Sequence, residues 1–124
     1  MNTEFNFIGY LVKKPVTKTV ANDTKMMTLQ LAIPDDEPVY LYITVFDDII
    51  MNELNVVGDK GVQIDCSCKQ SNDHYVDKNG KDKWINSLIM KRVSFLNLNK
   101  DQQEQLRKYW EEEMLVYEGE PVTF

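Results

Sequence analysis

The sequence is short of several things, and each shortage removes a class of protein. No apolar run approaches the about 20 residues that a membrane-spanning helix needs. Cysteine occurs twice, as Cys66 and Cys68 in a C-S-C triplet. Neighbours at that spacing do not bridge easily, and no second ligand pair accompanies them, which excludes a disulfide scaffold and a zinc module. Histidine occurs once, as His74 beside Asp73, with no Ser or Cys nucleophile placed around it, and reads as a surface residue. No glycine-rich loop is present to cradle a phosphate. Of the acidic clusters, Asp35-Asp36-Glu37 lies in a turn and Asp47-Asp48 at a helix start, neither of them a metal-dependent nuclease arrangement. Arginine is scarce, 2 residues against 12 lysines. The opening MNTEFNFIG has an acid where a signal peptide needs positive charge and an apolar stretch, so a cytoplasmic protein is expected. Catalytic residues, metal and cofactor are all expected to be none.

What remains is ordinary globular material. The chain has 124 residues and 14.5 kDa, one domain's worth, with 43 % hydrophobic residues and six Tyr, five Phe and two Trp to build a core. Its net charge of -6 is unevenly spread. Residues 1–100 carry 12 Lys and Arg against 13 Asp and Glu, whereas residues 101–124 carry 2 against 7. A nearly neutral body still has room for a basic groove, and the acidity belongs to the end.

Residues 4–13 have strand composition, interrupted by Gly9, which marks a bulge or a close backbone approach. Pro15 demotes the next stretch to strand edge or loop. Residues 24–33 alternate, with Met27, Leu29, Leu31 and Ile33 on one face. After the turn PDDEP, VYLYITVF (39–46) is the strongest strand. Asp47 or Asp48 then caps a short helix carrying Ile50, Met51, Leu54 and Val57. A fourth strand spans Val62–Lys69, a hairpin turns at Asn79-Gly80, and a fifth strand runs over Lys83–Leu96. Last comes a helix from about Asn99 to Leu115 with Leu106, Tyr109, Trp110 and Met114 on one stripe. Three strands, a helix and two strands is the order of a five-stranded OB barrel, so the fold class is all-β with an added C-terminal helix. A small α+β sheet domain has the same element order and stays open as an alternative. The expected division is a barrel domain over 1–98 and a helix with acidic tail over 99–124.

Five segments taken in order resemble the bacterial single-stranded DNA-binding protein family over roughly residues 4–98. FIGYLVKKPV resembles its opening strand, with Gly9 and Pro15 in place. VYLYITVFDD resembles its third strand, with Tyr40 followed six positions later by Phe46. GDKGVQID matches its Lys-Gly turn at Lys60-Gly61, and VSFLN the close of its last barrel strand. HYVDKNGKDKW resembles its aromatic hairpin and places Tyr75, Asp77, Gly80 and Trp84. The final EGEPVTF is similar to the family's acidic tip, with two residues between Pro121 and Phe124 where the family has the pair adjacent. Departures are a short acidic turn, PDDEP, in place of a longer loop, and Ser71 and Asp73 where the family has arginine.

The resemblance implies a non-enzyme that shields single-stranded DNA in replication, recombination or repair, assembled as a homo-oligomer (dimer or tetramer) and recruiting other proteins through the tail. The residues permit this independently. Tyr40, Phe46, Tyr75 and Trp84 supply faces for base stacking, and Lys69, Lys78, Lys81 and Lys83 supply cations for phosphates. Plainer readings stand beside these: Phe46 as core and the hairpin lysines as merely solvated, while Tyr40 and Tyr42 share a face and are either both buried or both exposed. The alternative function is an OB-fold protein-interaction subunit of a replication complex with a weakened DNA groove.

Overall fold

The computed structural model describes residues 4–76 and 78–114, with residues 73–75, 83–86 and 114 described in backbone alone. Along the chain come β1 (Glu4–Leu11), β2 (Val16–Thr19), β3 (Lys25–Ile33), β4 (Val39–Val45), α1 (Asp48–Val57), β5 (Gln63–Val76), β6 (Asp82–Phe95) and α2 (Lys100–Tyr109). Hydrogen bonding runs β1-β5-β6-β4-β3, and β3 returns to β1 at Tyr10↔Ala32 and Leu11↔Leu31, closing a ring of five. Every pairing in the ring is antiparallel except that of β4 with β6. β2 hangs on the free edge of β3 as a sixth strand. This closed five-stranded ring, with its helix between the third and fourth barrel strands, is the OB fold. Closure sets aside the open α+β sheet.

Alternation in the sequence becomes the barrel interior. Met27, Leu29 and Leu31 of β3, Ile43 and Val45 of β4, Ile64, Cys66 and Cys68 of β5 and Met90 of β6 are all buried there. Full burial of a Leu, Ile or Met side chain is worth about 1.5–3 kcal/mol, which fixes the register of each strand. α1 closes the barrel with Ile50, Met51 and Leu54. It starts where the Asp47 carboxylate accepts from the Ile50 N–H at 3.0 Å and stops where the Gly58 N–H donates to the Leu54 carbonyl at 2.7 Å. Of the two candidate caps, Asp47 is the one used.

Gly9 sits where β1 leaves β5 and turns towards β3. A Cβ there would lie 2.6 Å from the Ala32 carbonyl oxygen and 2.9 Å from Leu31 Cγ, so the residue marks a close backbone approach.

Two strand boundaries differ from those the sequence predicts. The fourth barrel strand continues past Lys69 to Val76. β1 pairs only with Gln63–Lys69 of it, and β6 meets β4 only at Leu88 and Ile89. The outer halves of β5 and β6 therefore pair with each other alone, a two-stranded ribbon beyond the barrel. Among the described residues no side chain of this ribbon is buried, and the polar QSNDHY carries no alternation to read. At its turn Gly80 has φ +77°, the left-handed region glycine tolerates. β2 is the other difference: the edge after Pro15 is a real strand, short and exposed at all four residues.

α2 opens with a reciprocal cap, Asn99 and Gln102 each accepting the other's backbone N–H. Regular helix ends at Tyr109, and Trp110–Met114 continue as one wider π-type turn. Leu106 is buried, and the Trp110 indole N–H donates to Glu53 Oε2 of α1 at 3.1 Å, which ties the added helix to the barrel's own. Leu115 lies outside the described residues.

Candidate nucleic-acid interface

β4 sends alternate side chains to opposite sides of the barrel wall. Ile43 and Val45 are at 0 % exposure, whereas Tyr40 and Tyr42 are 53 % and 68 % exposed. Tyr42 lies opposite Gln30 of β3, and Tyr40 opposite Ala32, which in turn faces the half-exposed Tyr10 of β1. A small residue thus stands between two outward tyrosines. Between the rungs, Lys69 of β5 pairs with Ile89 of β6, Ile89 with Thr44 of β4, and Thr44 with Thr28 of β3. Residues opposite one another share a face, so Lys69 is on the outer surface with Tyr40 and Tyr42. Two inter-strand steps put its backbone about 10 Å from that of Thr44. On the far side, Lys18 of β2 pairs with Met26.

Phe46 follows directly on β4 and is 45 % exposed, so it is not core. It lines an open cleft of about 860 Å³ together with Thr17, Asp48, Met51, Asn52 and Asn55. Lys78 and Lys81 are exposed beside the ribbon turn, roughly 20 Å along the strand from the β4 contact. Tyr75 pairs in backbone with Lys83, and His74 with Trp84, on the ribbon's outer rungs. The side chains of Tyr75, Lys83 and Trp84 lie outside the described residues, as do Pro121 and Phe124 entirely. The structure therefore brings Tyr40 and Lys69 onto one surface, sets Phe46 at its end, and carries Lys78 and Lys81 away from it.

Sequence reasoning left three residues of this surface out of the site, although it put Tyr42 on one face with Tyr40. Tyr42 has the same parity as Tyr40 and greater exposure; its place two residues on was the available signal. Tyr10 and Lys18 had none, because their rungs exist only once β1 closes on β3 and β2 pairs with it.

Charge on the face is mixed. Glu4 lies directly opposite Lys69, and the exposed Asp35, Asp36 and Glu37 turn precedes Tyr40. Of the two arginines, Arg92 is exposed and pairs across from Ser67 of β5, and Arg107 is bound on α2 by Glu104 and by Glu111, the latter at 2.8 Å. Glu104 is held below the ordinary carboxylate range by that bond with Arg107. Glu53 is pushed the other way, raised by burial and by Asp47 against the lowering effect of the Trp110 hydrogen bond. In the core, Cys66 and Cys68 hold their Sγ atoms 3.9 Å apart; the contact with Cys68 and burial push the Cys66 thiol up. Among the described residues, no group of three His, Cys, Asp or Glu side chains is placed to hold a metal ion. No helix among them is long and apolar enough to cross a membrane.

The molecule is thus an OB barrel with an outward tyrosine face and a projecting β-ribbon. Among solved structures it is similar to the mitochondrial single-stranded DNA-binding protein Rim1 of S. cerevisiae, with TM-score 0.66 and 20 % identity over 80 % of this chain and 100 % of that one. It is also similar to the Plasmodium falciparum SSB solved in complex with single-stranded DNA, with TM-score 0.63 and 19 % identity over 78 % of this chain and 96 % of that one. No protein-family profile and no curated protein matches the sequence. At this identity the likeness establishes the fold.

Proposed function

We propose that this chain binds single-stranded DNA without chemistry and shields exposed strand in replication, recombination or repair. The observation that carries the reading is the pair Tyr40 and Tyr42, exposed on the outer wall of a strand whose alternate residues are wholly buried. In OB barrels the face of the second and third strands and the loop between the fourth and fifth are where oligonucleotides lie. Here these correspond to β3–β4 and to the β5–β6 ribbon. Bases stack on aromatic faces at about 1–3 kcal/mol each, and lysines track the phosphates. The reading assigns stacking to Tyr40, Tyr42, Phe46, Tyr75 and Trp84, and phosphate contacts to Lys69, Lys78, Lys81 and Lys83. Support comes from two structural neighbours named as single-stranded DNA-binding proteins.

Three finer assignments belong to the same reading. Residues 1–98 are the DNA-binding unit and 99–124 an appended helix and acidic tail. A homo-oligomer, dimer or tetramer, forms through β1: among the described residues, its Glu4–Gly9 segment pairs on the β5 side alone and leaves an open edge. The tail, through Pro121 and Phe124, recruits replication or repair proteins.

One observation favours a second reading, a protein-interaction subunit with a weakened groove. The acidic turn Asp35–Glu37 adjoins Tyr40, and Glu4 faces Lys69. Titrating labelled oligo-dT at low salt and then raising the salt decides. With few lysines on the face, log affinity is expected to fall with log salt at a slope of about -2 to -4. No binding at low salt selects the second reading.

A further inference from the structure

The barrel core gathers soft sulfur at one place. Cys66 and Cys68 are alternate residues of β5 and point the same way, into the core, with their Sγ atoms 3.9 Å apart. A β-bulge in β6 decides what faces them. Ser67 pairs with Arg92 but Cys68 pairs with Met90, so Lys91 is the extra residue. A regular ladder would set Lys91 opposite Cys68 on the inward side. The bulge leaves Lys91 exposed and puts a thioether there instead. Met90 is buried, and residues directly opposite have Cβ atoms about 4.5–5.5 Å apart, within reach of its flexible side chain. Two thiols and a thioether thus share one core cluster.

The spacing fits a metal ion better than a disulfide. An S–S bond is about 2.05 Å long, so oxidation would have to draw these sulfurs together by about 1.9 Å within a paired strand. A metal–thiolate bond is about 2.3 Å, and an ion at that distance from both sulfurs, themselves 3.9 Å apart, makes an S–metal–S angle of about 116°. That is close to trigonal coordination, whose third corner Met90 supplies. Thiolate and thioether ligands together select Cu(I) among the common ions. Zinc wants four nitrogen, oxygen or thiolate ligands, and among the described residues no group of three His, Cys, Asp or Glu is placed to provide them. On its other side Cys68 pairs with Phe5 of β1, which is 38 % exposed, so the core is shallow there and an ion has a way in.

We propose that Cys66, Cys68 and Met90 bind one Cu(I) ion inside the barrel, at a site separate from the tyrosine face and independent of strand binding. Binding releases both thiol protons to solvent and leaves one negative charge on the complex. Copper stays Cu(I), so no electron is exchanged. The full chain, reduced and metal-free, is titrated anaerobically with Cu(I) against the chromophoric chelator bathocuproine disulfonate. Wild type is expected to withdraw one Cu(I) per chain and to melt at a higher temperature when loaded, because the ion binds the folded state. Copper X-ray absorption of loaded wild type is expected to show sulfur neighbours alone, at about 2.3 Å. Cys66→Ala/Cys68→Ala should take up none. Met90→Leu, a volume-conserving exchange, should bind at least about tenfold more weakly, the smallest loss that even outer partners of a bound metal show. No uptake by wild type overturns the site, and so does nitrogen or oxygen in the copper shell. Uptake by the cysteine-free variant, or wild-type affinity in Met90→Leu, overturns it as well. The absorption measurement needs no variant, so it decides even if a core substitution prevents folding.

Discussion

Replacing Gly9 by alanine tests how the barrel closes. In an open strand this exchange stabilises by about 0.4–1 kcal/mol, because alanine has less conformational freedom to lose. Gly9 has no such room. The new Cβ falls 2.6 Å from the Ala32 carbonyl oxygen and 2.9 Å from Leu31 Cγ. A carbon–oxygen contact is comfortable at about 3.3 Å, so β1 and β3 must part by roughly 0.7 Å. Leucine can rotate away, but the carbonyl cannot. Both strands are anchored beside it, by Leu11 N–H to Val62 O at 2.9 Å and Val12 N–H to Gln30 O at 3.0 Å. Overpacking of this kind costs about 1–3 kcal/mol. For a domain of this size each kcal/mol lowers the melting temperature by roughly 3–5 °C, so Gly9→Ala is expected to melt about 3–15 °C below wild type. Calorimetry or a circular-dichroism melt reads this directly. A melting temperature equal to or above that of wild type would refute the close approach, since the sign then follows alanine's entropy.

Two further outcomes follow from the packing of α2 and the edge of β1. Glu53 has its proton affinity raised on folding, so it favours the folded state most below the ordinary carboxylate range, and that contribution is lost as pH rises through the raised value. Glu53→Gln keeps an acceptor for the Trp110 indole and removes the buried charge, so its stability is expected to equal or exceed wild type at pH 7, with a flatter profile over the acid range; a variant less stable than wild type at pH 7 contradicts the assignment. Light scattering at micromolar concentration should give a mass of two or four chains, and a mass of one chain overturns the role given to the open edge of β1.

The parts of the fold legible in the sequence are those whose residues face two different media. β3 and β4 alternate because one side meets the core and the other the solvent, and α1 is announced by its Asp47 cap and four core-facing residues. The outer ribbon and β2 lack that contrast. Val16–Thr19 is exposed throughout, and Gln70–Val76 pairs with one neighbour only. Their strands exist by backbone pairing, which leaves no pattern in side-chain polarity. The site divides in the same way. Tyr40 and Tyr42 share a parity that the sequence displays, but which side of β4 faces outward is decided by the burial of Ile43 and Val45. Phe46, one residue past the strand end and immediately before the Asp47 cap of α1, is exposed as well, which strand alternation alone does not dictate. Lys69 joins the tyrosines through β6, a neighbour 20 residues later in the chain.

The central claim is that the exposed tyrosine face holds single-stranded DNA, and the affinity of Tyr40→Ala/Tyr42→Ala for oligo-dT at low salt tests it most directly. Neither ring is part of the core, so the variant should melt close to wild type. Loss of two stacking surfaces at about 1–3 kcal/mol each should weaken binding by at least tenfold. An affinity within twofold of wild type, in a variant shown to be folded, would place the strand elsewhere and contradict the account.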